Sequence, residues 1–484
     1  MEVSFILFMV LFVGVGLVSA RARGEGEDDY WLAGRSIPPW AMALSTLSTA
    51  QSGFLWLGMV GLTYSQGLTA LWMLAGWLGG DYVVWRLGVL KQIRLRSEAR
   101  GVTTLPSFLG PQSAPTKEGG QGQRPAWVGV LAVLVFLLLG LYASAQVTAG
   151  AKVLHQLYDW PIAVGVGLTA LVITSYSFAG GVRASIWTDC AQGPVMIVGL
   201  LWLTVAALIE VGGPSVLWRR LAEEVPGHLA LTQSWGWALV GLLGWTISGM
   251  GTSGQPHVLS RAFLIDDAEN LVQARRWYFA YGLVLYSATV MVGLCARLLI
   301  APETLPDPEV AILAVAQKLL PGPMVGVMIA GIFAAVISTV DSMVIVQSSV
   351  VSNDLAPEQP PGAKPRRWLP KVFTLLAMGV AVLFSVYEES VLAMVLLAWS
   401  ILACGFGPLV IWRSFGLELS PLRILLIAGV GLGFLFGWPL LDEGQRLTAM
   451  APAFLGALAV GGALFWRQAR TSPGAQPELK EEAG

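Results

Sequence analysis

Residues 326–354 read GVMIAGIFAAVISTVDSMVIVQSSVVSND. The run is long and apolar enough to cross a bilayer as a helix. Yet it carries Ser338, Thr339, Asp341, Ser342, Gln347, Ser348 and Ser349. At helical spacing Gly331, Ala335, Ser338, Ser342 and Ser349 fall on roughly one face. That face is small and rich in hydroxyls, with Asp341 on its flank. A carboxylate at bilayer depth is costly and points to function by default. It also fits a structural carboxylate hydrogen-bonded inside a helix bundle.

The rest of the chain has the same solvent. It has 484 residues, 55% of them hydrophobic and 12% charged, with mean hydropathy +0.68. An ordinary soluble domain carries about 25% charged residues. The expectation is an all-α polytopic protein of the lipid bilayer. Continuous rather than alternating apolar runs argue against a barrel. Twenty Trp suit two interfacial belts. A formal net charge of −1 implies no nucleic-acid partner, and no obligate protein partner is evident. Cys190, Cys295 and Cys404 sit in apolar runs without paired spacing and read as small core residues. The N-terminal MEVSFILFMVLFVGVGLVSA looks like a signal peptide, but Glu2 precedes the apolar core and Arg21 and Arg23 follow it. A signal peptide needs the reverse, so a retained first span with its N-terminus outside is expected.

Thirteen candidate spans follow, at about 3–21, 38–63, 68–90, 125–152, 160–179, 186–210, 234–253, 274–300, 321–350, 369–387, 390–413, 419–438 and 447–467. With the N-terminus outside and the C-terminus cytoplasmic, 23 of the 29 Lys and Arg fall on the cytoplasmic side. The six exceptions are Lys152, Arg219, Arg220, Arg297, Lys318 and Arg446. The positive-inside rule therefore favours this orientation, in the plasma membrane. The loop at 101–125 is flexible by composition in its second half. The loop at 211–232 carries the helical-looking SVLWRRLAEEV, and the polar tail 471–484 reads as disordered.

Two spans break the pattern. Span two holds Ser45-Thr46-Leu47-Ser48-Thr49-Ala50-Gln51-Ser52-Gly53, too polar for a lipid-facing helix, with Gly53 a poor helix interior residue. Non-helical backbone at that depth survives only inside protein or along a cavity. Its carbonyls and hydroxyls make an oxygen-only site suited to a hard cation. Span seven holds Gly249, Gly251, Gly254 and Pro256 close together, arguing for a second broken helix. The two spans are five apart, as in transporters built from inverted five-helix repeats with the substrate between the interrupted helices. Glycine-mediated packing of two ordinary helices is the alternative. It explains the glycines better than the STLSTAQS run. Asp189, in Trp187-Thr188-Asp189-Cys190, opens span six, where a helix dipole would suffice to hold it.

With these residues in view, the sequence resembles the sodium:solute symporter family, most closely its sodium/proline branch, from about residue 30 to residue 413. The supporting runs are Tyr30-Trp31-Leu32-Ala33-Gly34-Arg35-Ser36, the span-two core, Thr104-Leu105-Pro106 and Tyr142-Ala143-Ser144-Ala145-Gln146. Gly180-Gly181 with Trp187-Thr188-Asp189, Gly254-Gln255-Pro256-His257 with Arg261, and Ala334-Ala335-Val336-Ile337-Ser338-Thr339 complete them. The resemblance implies about thirteen transmembrane helices around a five-plus-five inverted-repeat (LeuT-like) core. The parts would be an extra helix and loop at 1–37, a first repeat at 38–210, an external loop and second repeat at 211–413, two further helices at 414–470, and the tail. It implies sodium-driven import of a small solute by alternating access. Carried over, Na+ would meet carbonyls of Ser48, Gln51 and Ala335 and hydroxyls of Ser338 and Thr339. Asp189 would mark a further cation or coupling site, and Asp341 is a weaker candidate. Ser52, Tyr142, Gln255 and Pro256 would face the substrate. Ala50 stands where proline carriers have an aspartate, and Thr252 stands where they have aromatic residues. Proline or a related amino acid is therefore one expectation; pantothenate, a sugar acid or another monocarboxylate is the other.

Other classes find less support. A sensor built on this scaffold would need a signalling domain, which the short tail after Arg470 does not offer. An enzyme is not expected: His155, His228 and His257 are scattered, with no HExxH and no Ser/His/Asp pattern. No phosphate-cradling loop supports an ATP-driven pump.

Overall fold

The computed structural model describes residues 1–21, 31–111, 125–177, 181–231, 235–356, 369–385, 390–441 and 448–471. Every extended regular element among them is helical, with one isolated bridge between Ile37 and Ile265. The tail after residue 471, the second half of the 101–125 loop, Tyr30 and Gly180 lie outside the described residues.

Each of the thirteen expected stretches contains a helix. Eight described helices are long and apolar enough on their own to cross a bilayer, among them Ala126–Tyr158, Gly181–Val211, Leu271–Leu299 and Val391–Ser414. The larger count depends on shorter helices such as Ala70–Arg86, Ile162–Ser177 and Trp235–Gly249.

Gly322–Val350 is the axis of the bundle. The apolar window of this helix is 94% buried, against 11% for the N-terminal Glu2–Ser19. The sequence pattern marks one face, but every face is covered. Helices Gly181–Val211 and Ala126–Tyr158 pack on it, and so does the N-terminal helix. There Phe5 meets Phe333 at 5.2 Å and Ser4 Oγ donates to Pro323 O at 2.9 Å.

Both interrupted helices form. Pro39–Ala50 stops, Gln51 and Ser52 leave the helix, and the chain resumes through a wide π-type turn at Phe54–Gly58 into Met59–Gln66. Span seven runs as an α-helix over Trp235–Gly249, tightens over Met250–Gly254, and turns extended at Gln255 (φ −96°, ψ 100°). Pro256 forces that extension on the residue before it and then starts the short helix Pro256–Leu259. The glycines act differently from expectation. None of Gly53, Gly249, Gly251 and Gly254 has a positive φ. Each is small because something lies against it: a Cβ on Gly53 would stand 2.8 Å from the Ala149 Cβ, and one on Gly251 would stand 2.5 Å from the Ala403 Cβ.

Two boundaries move. Span three ends at Arg86, Gly88 takes φ +75°, and a separate helix follows at Val89–Arg100. Lys91 pairs with Glu269 at 2.7 Å and Arg94 Nε donates to Ile265 O at 2.8 Å, docking that helix across the bundle. Span six begins at Gly181, so Asp189 lies two turns inside it rather than at its start.

Candidate cation and substrate sites

The central helix meets the end of Pro39–Ala50 through hydroxyls. Ser338 Oγ lies 2.9 Å from Ser48 O and 3.1 Å from Ala335 O. Thr339 Oγ1 lies 3.0 Å from Thr49 O and 2.9 Å from Ala335 O. Thr49 Oγ1 and Ser342 Oγ are 2.8 Å apart, and Ser342 Oγ donates to Ser338 O at 2.7 Å. All are buried. Four of the five expected sodium ligands, Ser48, Ala335, Ser338 and Thr339, thus share one oxygen-lined junction, and Thr49 and Ser342 join it. Gln51 follows at the break. Its N–H still donates to Leu47 O at 2.8 Å, and its side chain lies against the hydroxyls of Tyr278 and Tyr286.

Asp189 is not a helix-start carboxylate but part of a buried polar cluster. Ser45 Oγ donates to Asp189 Oδ2 at 2.6 Å and accepts from Arg261 Nε at 3.2 Å. Arg261 Nη2 stands 3.4 Å from Asp189 Oδ2 and 3.2 Å from Ser185 Oγ, and it also donates to Ser342 Oγ. Asp341 lies within the electrostatic reach of both Asp189 and Arg261. Two carboxylates therefore face one guanidinium, and Ser342 links this cluster to the hydroxyl junction.

Of the expected substrate residues, Ser52 and Tyr142 lie together, the phenol hydroxyl against the serine. Tyr142 also meets His257 edge to face at 5.2 Å. Gln255 Nε2 donates to Trp399 O at 3.1 Å, which leaves its Oε1 without a partner. Pro256 lines a cleft with Trp31, Thr104, Ser260 and Ser349.

Three features escaped the sequence reading. Gln146 Oε1 accepts the Gly53 N–H at 2.9 Å and so braces the break. Arg261 entered only as part of a motif, although it is fully buried. Asp81, inside Ala70–Arg86, is 3% exposed. Its signal was a lone carboxylate in the apolar run GWLGGDYVVW.

A sequence profile of the sodium:solute symporter family matches residues 30–416. The chain belongs to that family. A sodium:solute symporter is a sodium-coupled secondary transporter, and Na+ is the coupling ion. The sodium/proline symporter of Escherichia coli is 27% identical over 463 residues, covering 90% of this chain and 88% of that one. The high-affinity proline transporter PutP of Bacillus subtilis is 26% identical, covering 91% and 92%. A sodium-coupled sialic acid symporter of known structure superposes with a TM-score of 0.74 at 16% identity, covering 96% of this chain and 97% of that one. That likeness establishes the fold, an all-helical LeuT-like core. Family and relatives are transporters.

Proposed function

We propose that this symporter imports a small amino acid, proline or a close analogue, across the plasma membrane by alternating access. The observation that carries the reading is the junction where Ser338 and Thr339 hydroxyls meet Ser48 and Thr49 carbonyls beside a helix break. Sodium would take Ser48, Gln51 and Ala335 carbonyls with the Ser338 and Thr339 hydroxyls. The Ser338 hydroxyl already meets the Ser48 and Ala335 carbonyls and the Thr339 hydroxyl the Ala335 carbonyl, and sodium would replace these direct hydrogen bonds with shared coordination. The five ligands carry no formal charge, so binding is modest and reversible, as a cycle requires. Proline enters through the names of the relatives. The repeats are 38–210 and 211–413, with the N-terminus outside. Sodium orders the broken helices for substrate, and each ligand raises the affinity for the other by the same factor.

Sodium-driven uptake into proteoliposomes tests this. Thr339→Ala should raise the sodium concentration for half-maximal proline uptake by roughly tenfold, the worth of one well-placed polar ligand. Unchanged sodium dependence would remove Thr339 from the site. Uptake that ignores sodium and follows protons would sink the coupling assignment.

A further inference from the structure

The Asp81 carboxyl is hydrogen-bonded by the Tyr278 and Thr252 hydroxyls, but no cation pairs with it among the described residues and its Oδ1 stays without a hydrogen-bond partner. It is buried beside the hydroxyls of Tyr278 and Thr252. Tyr278 in turn touches Gln51, whose Oε1 is a second unsatisfied acceptor. One turn earlier on the same helix face stands Trp77. Its ring meets Trp399 at 4.7 Å, Phe54 at 5.8 Å and Trp245 at 6.3 Å. These rings come from both interrupted helices and from Val391–Ser414.

A buried carboxylate without a cation is expensive at bilayer depth, so its natural complement is a positive group that arrives and leaves. The rest of the site says what kind. Two orphan acceptors call for a group with at least two N–H donors. Aromatic faces favour an organic cation over a bare, strongly hydrated ion. The sodium junction on the central helix is built of hydroxyls and backbone carbonyls and has neither feature.

We infer that Asp81, with Gln51 Oε1 and the Trp77 ring cluster, holds the primary or secondary ammonium group of the transported solute. This deepens the amino-acid reading above and rests on it. It selects zwitterions bearing N–H donors and rejects nitrogen-free monocarboxylates. Asp81 acts by binding and orienting; no bond is made or broken.

The test uses the full-length purified protein with sodium present. Thermal stabilisation and uptake are measured for L-proline and the other common amino acids. Each is paired with its nitrogen-free acid, and proline is also paired with N,N-dimethylproline. Wild-type protein should respond to at least one amino acid and lose about tenfold or more in affinity when the N–H donors are removed. Asp81→Asn should weaken that amino acid by about tenfold or more while the half-saturating sodium concentration stays within about twofold. Three results overturn the inference. One is equal binding of an amino acid and its nitrogen-free acid, or no response to any amino acid. Another is unchanged affinity in Asp81→Asn. The third is an Asp81→Asn defect abolished by raising sodium, which would make Asp81 an inorganic-cation ligand. If the variant does not fold, equal binding within a ligand pair on wild-type protein still overturns the inference. Loss of all sodium dependence in wild type would instead sink the symport reading, a separate outcome.

Discussion

Arg261 is the residue on which the polar centre turns. It is fully buried and reaches Ser45, Ser185, Asp189 and Ser342, on three helices other than its own. Removing it would leave Asp189 buried without its guanidinium, a situation that costs about 3–5 kcal/mol. Arg261→Met should therefore lower the thermal unfolding temperature sharply, and adding Asp189→Asn should recover part of the loss. A double variant as unstable as the single one would show that the pair is not the cause. None of this was legible locally. Asp189 and Arg261 are 72 residues apart, and each reads as an ordinary polar residue beside a helix end or turn. Only the fold joins them. Asp81 was legible in principle, as a carboxylate within an apolar run, but its neighbours Tyr278 and Thr252 come from distant segments.

At the scale of the element, the breaks could be read and their glycines could not. Polar density in STLSTAQS and the Gln-Pro pair in span seven are local causes of local backbone, so sequence exposes them. Gly80 is a tertiary case. A Cβ there would run into Thr246 O, with Met250 N at 2.6 Å, whereas a Cβ on adjacent Gly79 would sit at an ordinary 3.7 Å from Thr246 Oγ1. Both substitutions change helix propensity by the same amount, so their difference isolates packing. Gly80→Ala should destabilise by about 1–3 kcal/mol and Gly79→Ala should be neutral or slightly stabilising, as read by thermal unfolding in detergent. Equal effects would show that the two helices can part without cost. The hydroxyl face of the central helix was legible from spacing alone. That its opposite face is buried too was not, because an apolar surface reads the same against lipid and against protein.

Across the whole molecule, the two ends are tied differently. At one end Lys152 pairs with Asp307 and Glu309, each at 2.6 Å. Glu309 also accepts the N–H groups of Val391 and Leu392 at 3.0 and 2.9 Å, capping Val391–Ser414. Nearby, His228 Nε2 lies 3.0 Å from Tyr64 O, and its own carbonyl accepts the Leu68 N–H at 2.8 Å. Gly67 between them has φ +63°, and a Cβ there would collide with His228 O. Burial holds the His228 imidazole below its ordinary value; the Tyr64 carbonyl opposes this and Arg297 adds to it. The folded state therefore prefers neutral His228. Its contribution is present above about pH 6.5, the ordinary histidine value, and is lost as pH falls below that, because the unfolded chain then binds the extra proton. Thermal stability should drop between about pH 6.5 and 5, and His228→Gln should flatten that drop. An unchanged slope would assign the acid sensitivity to other groups. At the opposite end Arg100 and Arg413 donate to the Phe108 and Gly110 carbonyls, fastening the segment after Val89–Arg100.

The Gly80–Thr246 seam has a mechanical consequence. Where backbone lies on backbone there is no layer of side chains to shear, so Ala70–Arg86 and Trp235–Gly249 travel as one beam. The junction between Pro39–Ala50 and the central helix is of another kind. Its hydroxyls can release one carbonyl and take up another, so that surface can slip. A rocking motion that keeps the beam intact must spend its displacement at such a joint. If sodium binds at this junction, as proposed, it would work as a removable pin in the joint: bound, it would stiffen the slip surface, and its departure would free the beam to swing.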